Sequence, residues 1–235
     1  MSAFEEYSFS PQDFSGRVRL FPLPNLILFP HVMQPLHVFE DRYRLLLEES
    51  LLDDRLIAMA LLLPGWEKQY GERPPIYPMA CLCRVAVHHR LEDGAYNALL
   101  VGLRRVRLIR ELPPSKPFRE AEVLVLEDCY PAEEAELTGK LHRQLRDALL
   151  QAVPELPQAQ DQLDQLLSAE ISLGTLTDII SYMVDMDLRH KQSLLAEVNV
   201  HRRAELLLRH LSSASTQGSP GDADDDGFPP PFSTN

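Results

Sequence analysis

The chain has 235 residues, of which 45% are hydrophobic and 25% are charged, a composition typical of one large globular domain or two small ones. No run approaches the roughly 18 uninterrupted apolar residues that a membrane span needs. The formal net charge of −12 disfavours sequence-independent binding to nucleic acid, which requires a positive surface. The N-terminus is acidic and lacks the basic region of a signal peptide, and three cysteines do not make a disulfide framework, so we expect a reduced cytoplasmic location.

An N-terminal extension at residues 1–16 precedes a region, residues 17–128, that is predicted to consist mainly of β-strands. Asp93-Gly94 lies between two long strand-like runs and is a strong short-range signal for a hairpin. EDRYRLLLEESLL (40–52) predicts one helical insert, because its apolar residues recur at a spacing of three to four. Shorter strands are predicted at 17–21, 32–38, 55–63 and 118–128.

Four prolines interrupt the apolar stretch 21–35, although proline has no N–H to donate to a sheet. Short strands, a helical insert, and prolines at strand ends and edges are typical of a small, bulged, partly open β-barrel. The segment 32–38 in particular predicts an edge strand or a bulge rather than a central strand, because it contains a proline. The four prolines are Pro22, Pro24, Pro30 and Pro35.

Residues 129–211 predict a helical bundle, so the chain as a whole is expected to have an α+β fold. The first helix begins at Pro131 and carries an apolar stripe of leucines at every fourth position. Asp187 and Asn199 are predicted N-caps of the last two helices. The four later helices are predicted at 159–171, 175–186, 187–198 and 199–211.

The last segment, residues 212–235, is rich in Ser, Gly, Pro and Asp and is predicted to be a disordered acidic tail. It contributes four negative charges, so residues 1–211 keep a formal charge of −8.

A family resemblance rests on five segments: FPLPNLILFPHVMQPLHVFEDRYRLLLEESL, the strand after it, the Asp-Gly hairpin, VGLRRVRLI, and the terminal DIISYM…DLRHKQSLLAEVNVHRRAELLLRHL. Together these segments resemble the N-terminal domain of the Lon protease family. The resemblance runs in order from about residue 17 to residue 211. It implies a PUA-like β-pseudo-barrel followed by the helical bundle, and a role as the substrate-binding domain that recognises polypeptide for a separate motor and protease.

The family's full protease continues into an ATPase with a G-x-x-x-x-G-K-[ST] loop and a Ser–Lys catalytic domain. Here the only Gly-Lys pair is Gly139-Lys140, which is followed by Leu141 and is not preceded by a glycine at the required spacing. Only 24 residues follow Leu211, too few for a catalytic domain. We therefore expect a stand-alone, non-enzymatic recognition module without a cofactor. Its expected partners are unfolded or extended polypeptide, or a protease or chaperone; the sequence does not indicate an oligomeric state.

The loop at 64–78 concentrates the candidate binding residues, which are Trp66, Tyr70, Arg73 and Tyr77. Trp, Tyr and Arg dominate protein-binding energetics because each buries a large area and keeps a polar group available. Prolines stiffen the loop, which lowers the entropic cost of binding. An equally weighted alternative is a lid, in which the loop folds over the barrel and buries Trp66.

Other residues favour structural roles. Cys81 and Cys83 with the nearby histidines, His88 and His89, lack the paired spacing of zinc sites, so the cysteines are predicted to be buried core residues and no metal is expected. Cys129 is predicted to pack.

The arginines of the 104–110 strand are predicted to form its solvent face, with Arg105 and Arg107 on the same side. The alternative function is a small-molecule-binding or nucleic-acid-binding PUA-like barrel, and for nucleic acid these arginines are the candidate phosphate contacts.

Overall fold

Residues 17–126 form six strands and one helix in a computed structural model that describes residues 9–69, 72–131, 135–152 and 171–216. The chain divides into two compact units, of which the first comprises the residues up to Glu127 together with Asp185–Ala196.

The strands are β1 (Arg17–Leu23), β2 (Met33–Val38), β3 (Leu56–Leu62), β4 (Ile76–Arg90), β5 (Tyr96–Glu111) and β6 (Arg119–Leu126). Helix α1 is Asp41–Leu52, and a 3₁₀ turn is Trp66–Gln69.

The sheet closes on itself through its longest strand. The strand order is β2-β5-β4-β3-β1-β6, and β5 pairs with β6 in addition. The first part of β5, Tyr96 to Val101, pairs with β2, whereas its second part, Arg105 to Glu111, pairs with β6. Five strands therefore form a ring and β2 lies outside it, which confirms the predicted pseudo-barrel and the α+β class.

Small side chains fill the interior of the ring. Ala58, Ala60, Ala80 and Ala121 are all at most 1% exposed and pack with larger residues such as Leu82. All seven residues of β3 are buried, which explains why its sequence is apolar without alternation. Alternation and apolar runs thus predicted the four shorter strands within one or two residues at each end.

The interrupting prolines lie where a hydrogen bond to a neighbouring strand is not needed. Only Arg17 to Leu20 of β1 pair with β6, so Pro22 lies beyond the part of β1 that has two neighbours. Pro35 lies on β2, which pairs only with β5 among the described strands. The predicted edge strand is confirmed, and the prolines are compatible with the sheet for this reason.

A bulge fixes the register of β2. His31 has a positive φ of 65°, its N–H donates to the carbonyl of Gly102 at 2.8 Å, and the Gly102 N–H donates to the carbonyl of Val32 at 2.8 Å. A Cβ at position 102 would lie 2.1 Å from the carbonyl oxygen of Phe29, so only glycine permits this approach.

The predicted hairpin is confirmed at Asp93-Gly94. Gly94 has a φ of +84°, and its N–H donates to the carbonyl of Leu91 at 3.0 Å. The Asp93 carboxylate accepts from the Ala95 N–H at 3.0 Å. These bonds reverse the chain between β4 and β5, as an aspartate followed by a positive-φ glycine is suited to do.

Helix α4, Leu188–Ala196, belongs to the first unit. The Gln192 side chain donates to the carbonyl of Met79 at 2.9 Å, and Arg105 Nε donates to the carbonyl of Leu195 at 3.0 Å. We predicted from the sequence that this helix belongs to the bundle 129–211. An apolar helix face does not reveal whether a strand or another helix covers it. The solvent-facing prediction for Arg105 was wrong: this residue is 2% exposed because α4 covers it.

The second unit contains helices α2 (Ala135–Ala152), α3 (Leu173–Met183) and α5 (Val200–Thr216). The apolar stripe of α2 is buried at Leu141, Leu145 and Leu149. Asn199 caps α5 by accepting from the Arg202 N–H at 3.0 Å, and Asp187 caps α4 in the same way through the His190 N–H at 2.9 Å, as predicted.

An ionic cluster lies in the interior of the second unit. Arg203 is fully buried and pairs with Asp128 at 2.6 Å and with the fully buried Asp178 at 3.4 Å. Its Nε also donates to Thr177 Oγ1 at 3.0 Å. Gly174 lies against this cluster, where a Cβ would be 2.2 Å from an Asp128 carboxylate oxygen.

Two predicted segments extend beyond the described part of the chain. The helix predicted at 159–171 lies outside it except for its last residue. The tail was predicted to start at Ser212, but α5 continues through Thr216, so that boundary was wrong by five residues; residues 217–235 lie outside the described residues. None of the described helices combines the length and the apolar character that a membrane span requires.

Candidate recognition cleft

A cleft of about 320 Å³ opens on the first unit, and we call it the loop cleft because the end of the 64–78 loop forms one wall. Five separate stretches of the described chain contribute to it, and its lining combines apolar and cationic side chains. The lining residues are Pro22, Arg42, Tyr43, Leu62, Glu72, Arg73, Pro74, Pro114, Lys116, Pro117, Phe118 and Arg119.

The apolar lining of the loop cleft is held rigidly. Tyr43 is 4% exposed, its ring stacks on Phe21 with centroids 4.1 Å apart, and its hydroxyl donates to the carbonyl of Pro22 at 3.0 Å. Leu62 ends β3, and Phe118, which is 4% exposed, precedes β6. These side chains are fixed by the barrel and α1, so the small apolar edges that they expose to the cleft are preformed.

Two cations lie over the aromatic rings of this lining. The Arg42 guanidinium is 4.6 Å from the Tyr43 ring centroid and pairs with Glu40 at 2.8 Å. The Lys116 ammonium is 5.3 Å from the Phe118 ring centroid. The negative face of each ring attracts the cation above it, which keeps the positive charge close to the apolar lining.

Two carboxylates that do not line the cleft hold Lys116 in place. Its Nζ lies 2.5 Å from Glu49 Oε1 and 3.2 Å from Glu120 Oε1. The hydrogen bond to Glu49 raises the pKa of Lys116. Burial raises the pKa of Glu49, but hydrogen bonds from Lys116 and Arg19 outweigh burial, and the pKa of Glu49 is lowered. Both groups are therefore charged at neutral pH.

Arg119 anchors the loop to β6. Its Nη1 donates to the carbonyl of Pro74 at 2.7 Å, and its Nε donates to Glu111 at 2.9 Å. The Leu63 N–H donates to the carbonyl of Pro75 at 2.9 Å, which fastens the same stretch to the end of β3. The wall at 72–75 is therefore attached to the barrel from two sides.

Arg73 differs from the other three cations of the cleft. It is half-buried, it lines the cleft next to Glu72, and it forms no ion pair or hydrogen bond with any of the residues that the structure describes. Its guanidinium is thus available to a ligand as far as the described residues show.

The predicted site residues have different positions. Arg73 lines the cleft, whereas Trp66 is half-buried in the 3₁₀ turn and Tyr77 is half-buried near the start of β4; neither of the two is a lining residue. Tyr70 lies outside the described residues. Nothing here tests a binding role for the four, so the roles of Trp66, Tyr70, Arg73 and Tyr77 stay predictions.

Sequence reasoning missed the lining residues outside the loop. Tyr43 was assigned only to the apolar face of α1, and Phe118 only to a strand. The stretch PPSKPF, 113–118, combines prolines, a cation and an aromatic residue as the loop does, and this composition was an available signal.

Comparison with known proteins identifies the family. A family model described as the ATP-dependent protease La (LON) substrate-binding domain matches residues 17–213. The chain belongs to this family. Lon protease 2 of Myxococcus xanthus is 27% identical over 203 residues, and Lon protease 1 of Bdellovibrio bacteriovorus is 29% identical over 207 residues. These matches cover 86% and 84% of this chain but 24% of each relative, so the chain spans about a quarter of the length of the curated relatives it matches.

Solved structures of Lon N-terminal domains share the fold. The N-terminal domain of the Mycobacterium avium complex Lon protease has a TM-score of 0.65 at 18% identity, covering 83% of this chain and 98% of that chain. The Lon N-terminal domain protein from Xanthomonas campestris has a TM-score of 0.56 at 23% identity, covering 82% and 97%. The predicted resemblance to the Lon substrate-binding domain is therefore confirmed.

In this Lon substrate-binding domain, the cysteines have unequal environments. Cys81 and Cys83 are fully buried, as predicted for core residues. Cys129 is exposed, so the prediction that it packs was wrong; its backbone, rather than its side chain, pairs with Asn199. Within the described ranges, no group of three His, Cys, Asp or Glu side chains is placed to hold a metal ion.

The basic strand of this Lon substrate-binding domain presents little free positive charge. Arg104 is half-buried and donates to the carbonyl of Leu103 at 2.8 Å, Arg105 is buried, and Arg110 pairs with Glu122 at 2.6 Å. Of the four, Arg107 is the exposed residue without an ion pair among the described residues. This arrangement does not support the alternative of a nucleic-acid-binding barrel.

Proposed function

We propose that the chain is a non-catalytic polypeptide-recognition module and that an extended or unfolded segment of polypeptide binds in the loop cleft. The family description, a substrate-binding domain, supports the binding role. The observation that carries the proposal is the preformed cleft itself, in which Tyr43, Leu62 and Phe118 form an apolar surface bordered by cations.

The size of the cleft suits side chains of a polypeptide. Its volume of about 320 Å³ is at the lower end of the range for ligand pockets, enough for one or two large side chains of a longer chain. Apolar contacts supply affinity when water is displaced, and a rigid lining lowers the ordering cost of binding.

In this proposal a separate protease or chaperone supplies any chemistry. The single Gly-Lys pair, Gly139-Lys140, lies within helix α2 instead of in a loop before a helix, so its amides are not arranged to hold phosphate. We place the module in the cytoplasm as part of the same proposal, because Cys81, Cys83 and Cys129 are free thiols and a reduced compartment keeps thiols in that state.

Two exposed prolines provide a matched test of the binding site. Pro114 lines the loop cleft, whereas its exposed neighbour Pro113 does not. Pro114→Trp should fill the cleft and weaken binding of fluorescein-labelled, reduced and unfolded casein about thirtyfold, as loss of an interface hot spot does. Pro113→Trp should bind within about twofold of the wild type, because a substitution outside the contact surface changes little. Equal binding by both variants in an anisotropy titration would exclude the loop cleft as the docking site.

A further inference from the structure

The loop cleft has a charge pattern that apolar binding alone does not use. Among the residues that the structure describes, four cations line it, Arg42, Arg73, Lys116 and Arg119, against one carboxylate, Glu72. The formal charge of the whole chain is −12, so this local excess of positive charge runs against the composition of the molecule.

We propose that the loop cleft selects polypeptide segments in which an acidic residue adjoins an aromatic or large aliphatic residue. The ligand carboxylate pairs with Arg73, and the neighbouring apolar side chain lies against Tyr43, Leu62 and Phe118. This inference rests on the proposed function, because it specifies which polypeptides the same cleft binds.

The acidic partners of the other cations lie outside the lining. Glu40 pairs with Arg42, Glu49 and Glu120 pair with Lys116, and Glu111 pairs with Arg119, yet none of these four glutamates lines the cleft. These ion pairs offset the charge of Arg42, Lys116 and Arg119, so Arg73 is the lining cation whose charge is not offset by an ion pair among the described residues. A ligand carboxylate in the cleft therefore meets one lining cation, Arg73, that no described carboxylate pairs with, and one lining carboxylate, Glu72.

Arg73 is the cation best suited to take the ligand carboxylate. It has no ion pair or hydrogen bond among the described residues, and a planar guanidinium binds a carboxylate through two parallel N–H donors. The other cations already pair with Glu40, Glu49, Glu111 or Glu120, so they fix the walls of the site and have less charge to offer a ligand carboxylate.

Two features together produce selectivity. A carboxylate alone gains little binding free energy, because water screens an ion pair at a partly solvated site. An apolar side chain alone leaves the Arg73 guanidinium without a ligand partner. A segment that has both satisfies the cation and buries the apolar surface in one pose. Replacing the carboxylate by an amide removes the charge from the hydrogen bond and should weaken binding about tenfold.

The test uses the full-length chain and three labelled peptides of equal length and identical aromatic content. The residues beside the aromatic residue are two aspartates, two asparagines or two lysines. We expect the aspartate peptide to bind about tenfold more tightly than the asparagine peptide and the lysine peptide to bind most weakly. The preference should shrink as salt rises, since salt screens partly exposed charges.

Two substitutions in the same loop separate pairing from general attraction. Arg73→Gln removes the cation that lines the cleft, and Lys68→Gln removes an exposed cation of the 3₁₀ turn that does not line it. Arg73→Gln should bring the aspartate and asparagine peptides to within about twofold of each other, while Lys68→Gln should keep the wild-type preference. A urea melt of each variant shows whether the fold is intact.

The outcomes distinguish this inference from the proposed function. If the wild type binds the aspartate and asparagine peptides equally and Pro114→Trp abolishes binding of both, the selectivity is refuted while the docking site stands. If Lys68→Gln reduces the preference as much as Arg73→Gln does, the attraction is general and the pairing with Arg73 is refuted. If none of the peptides and no unfolded casein binds, the proposed function fails and the selectivity fails with it.

Discussion

At the scale of single residues, two glycines in helices of the second unit have opposite environments. At Gly174 a Cβ would lie 2.2 Å from an Asp128 carboxylate oxygen and 2.7 Å from the Tyr130 hydroxyl oxygen. At Gly139 the nearest heavy atom to a Cβ would be Arg143 Nη1, at 3.6 Å. Gly174 is therefore required by close packing around the buried Arg203, whereas Gly139 is not.

The same substitution should change stability in opposite directions at these two positions. Gly174→Ala should lower the free energy of unfolding by about 1–3 kcal/mol, because the methyl group displaces a carboxylate that pairs with a buried arginine. Gly139→Ala should raise it by about 0.5–1 kcal/mol, because alanine costs less backbone entropy in a helix. Urea denaturation followed by circular dichroism measures both. A neutral or stabilising Gly174→Ala would mean that the cluster around Arg203 can relax.

At the scale of elements, β2 is an exposed edge whose hydrogen-bonding capacity is reduced. Gly102 bonds to His31 and Val32, which immediately precede β2. Hydrogen-bonded and non-hydrogen-bonded pairs alternate from there, so the backbone polar groups of Met33, Pro35 and His37 point away from β5. Pro35 has no N–H, and its carbonyl accepts from the Gln34 side chain at 2.7 Å. The middle of the open edge thus offers neither a donor nor a free carbonyl, which discourages pairing with another strand.

Restoring a donor at this edge should promote self-association. Pro35→Thr returns an N–H and a residue with high β-propensity to the centre of β2, so we expect more dimer and higher oligomers than in the wild type. Size-exclusion chromatography with light scattering over a concentration series measures this change. Pro113→Thr is the control, because Pro113 is exposed in the loop before β6 and not on a strand edge. An unchanged mass for Pro35→Thr would show that this proline does not protect the edge.

The elements themselves were largely predictable from sequence, whereas the packing between them was not. Alternation, an Asp-Gly turn and helix N-caps act over a few residues, so they predicted the strands, the hairpin and the caps at Asp187 and Asn199. The burial of Arg105 was not predictable in this way, because it depends on a helix that lies 90 residues later in the chain.

The lining of the loop cleft was likewise predictable from the sequence only in part. Arg73 was found because the 64–78 loop has an unusual composition, but the opposite walls come from Tyr43 on α1 and Phe118 before β6, which are brought together only by closure of the barrel. Long-range contacts of this kind leave no periodic signal in the sequence.

At the scale of the whole molecule, the first unit has two surfaces that compete for the role of docking site. One is the loop cleft. The other is the exposed apolar surface around β2, where Met33 is 40% exposed and Phe39 is 48% exposed, together with Val87 on β4, which is 57% exposed. The cleft is concave, preformed and bordered by cations, which is why the proposal assigns the polypeptide to it.

Hydrogen–deuterium exchange of the full-length chain, with and without saturating unfolded casein, tests this central claim most directly. The account predicts slower exchange in peptides that cover residues 72–75 and 114–119, because a bound polypeptide excludes water from those walls of the loop cleft. Unchanged exchange in both stretches, with slower exchange confined to residues 33–39 and 85–89, would contradict the account and place the docking site on the β2 surface.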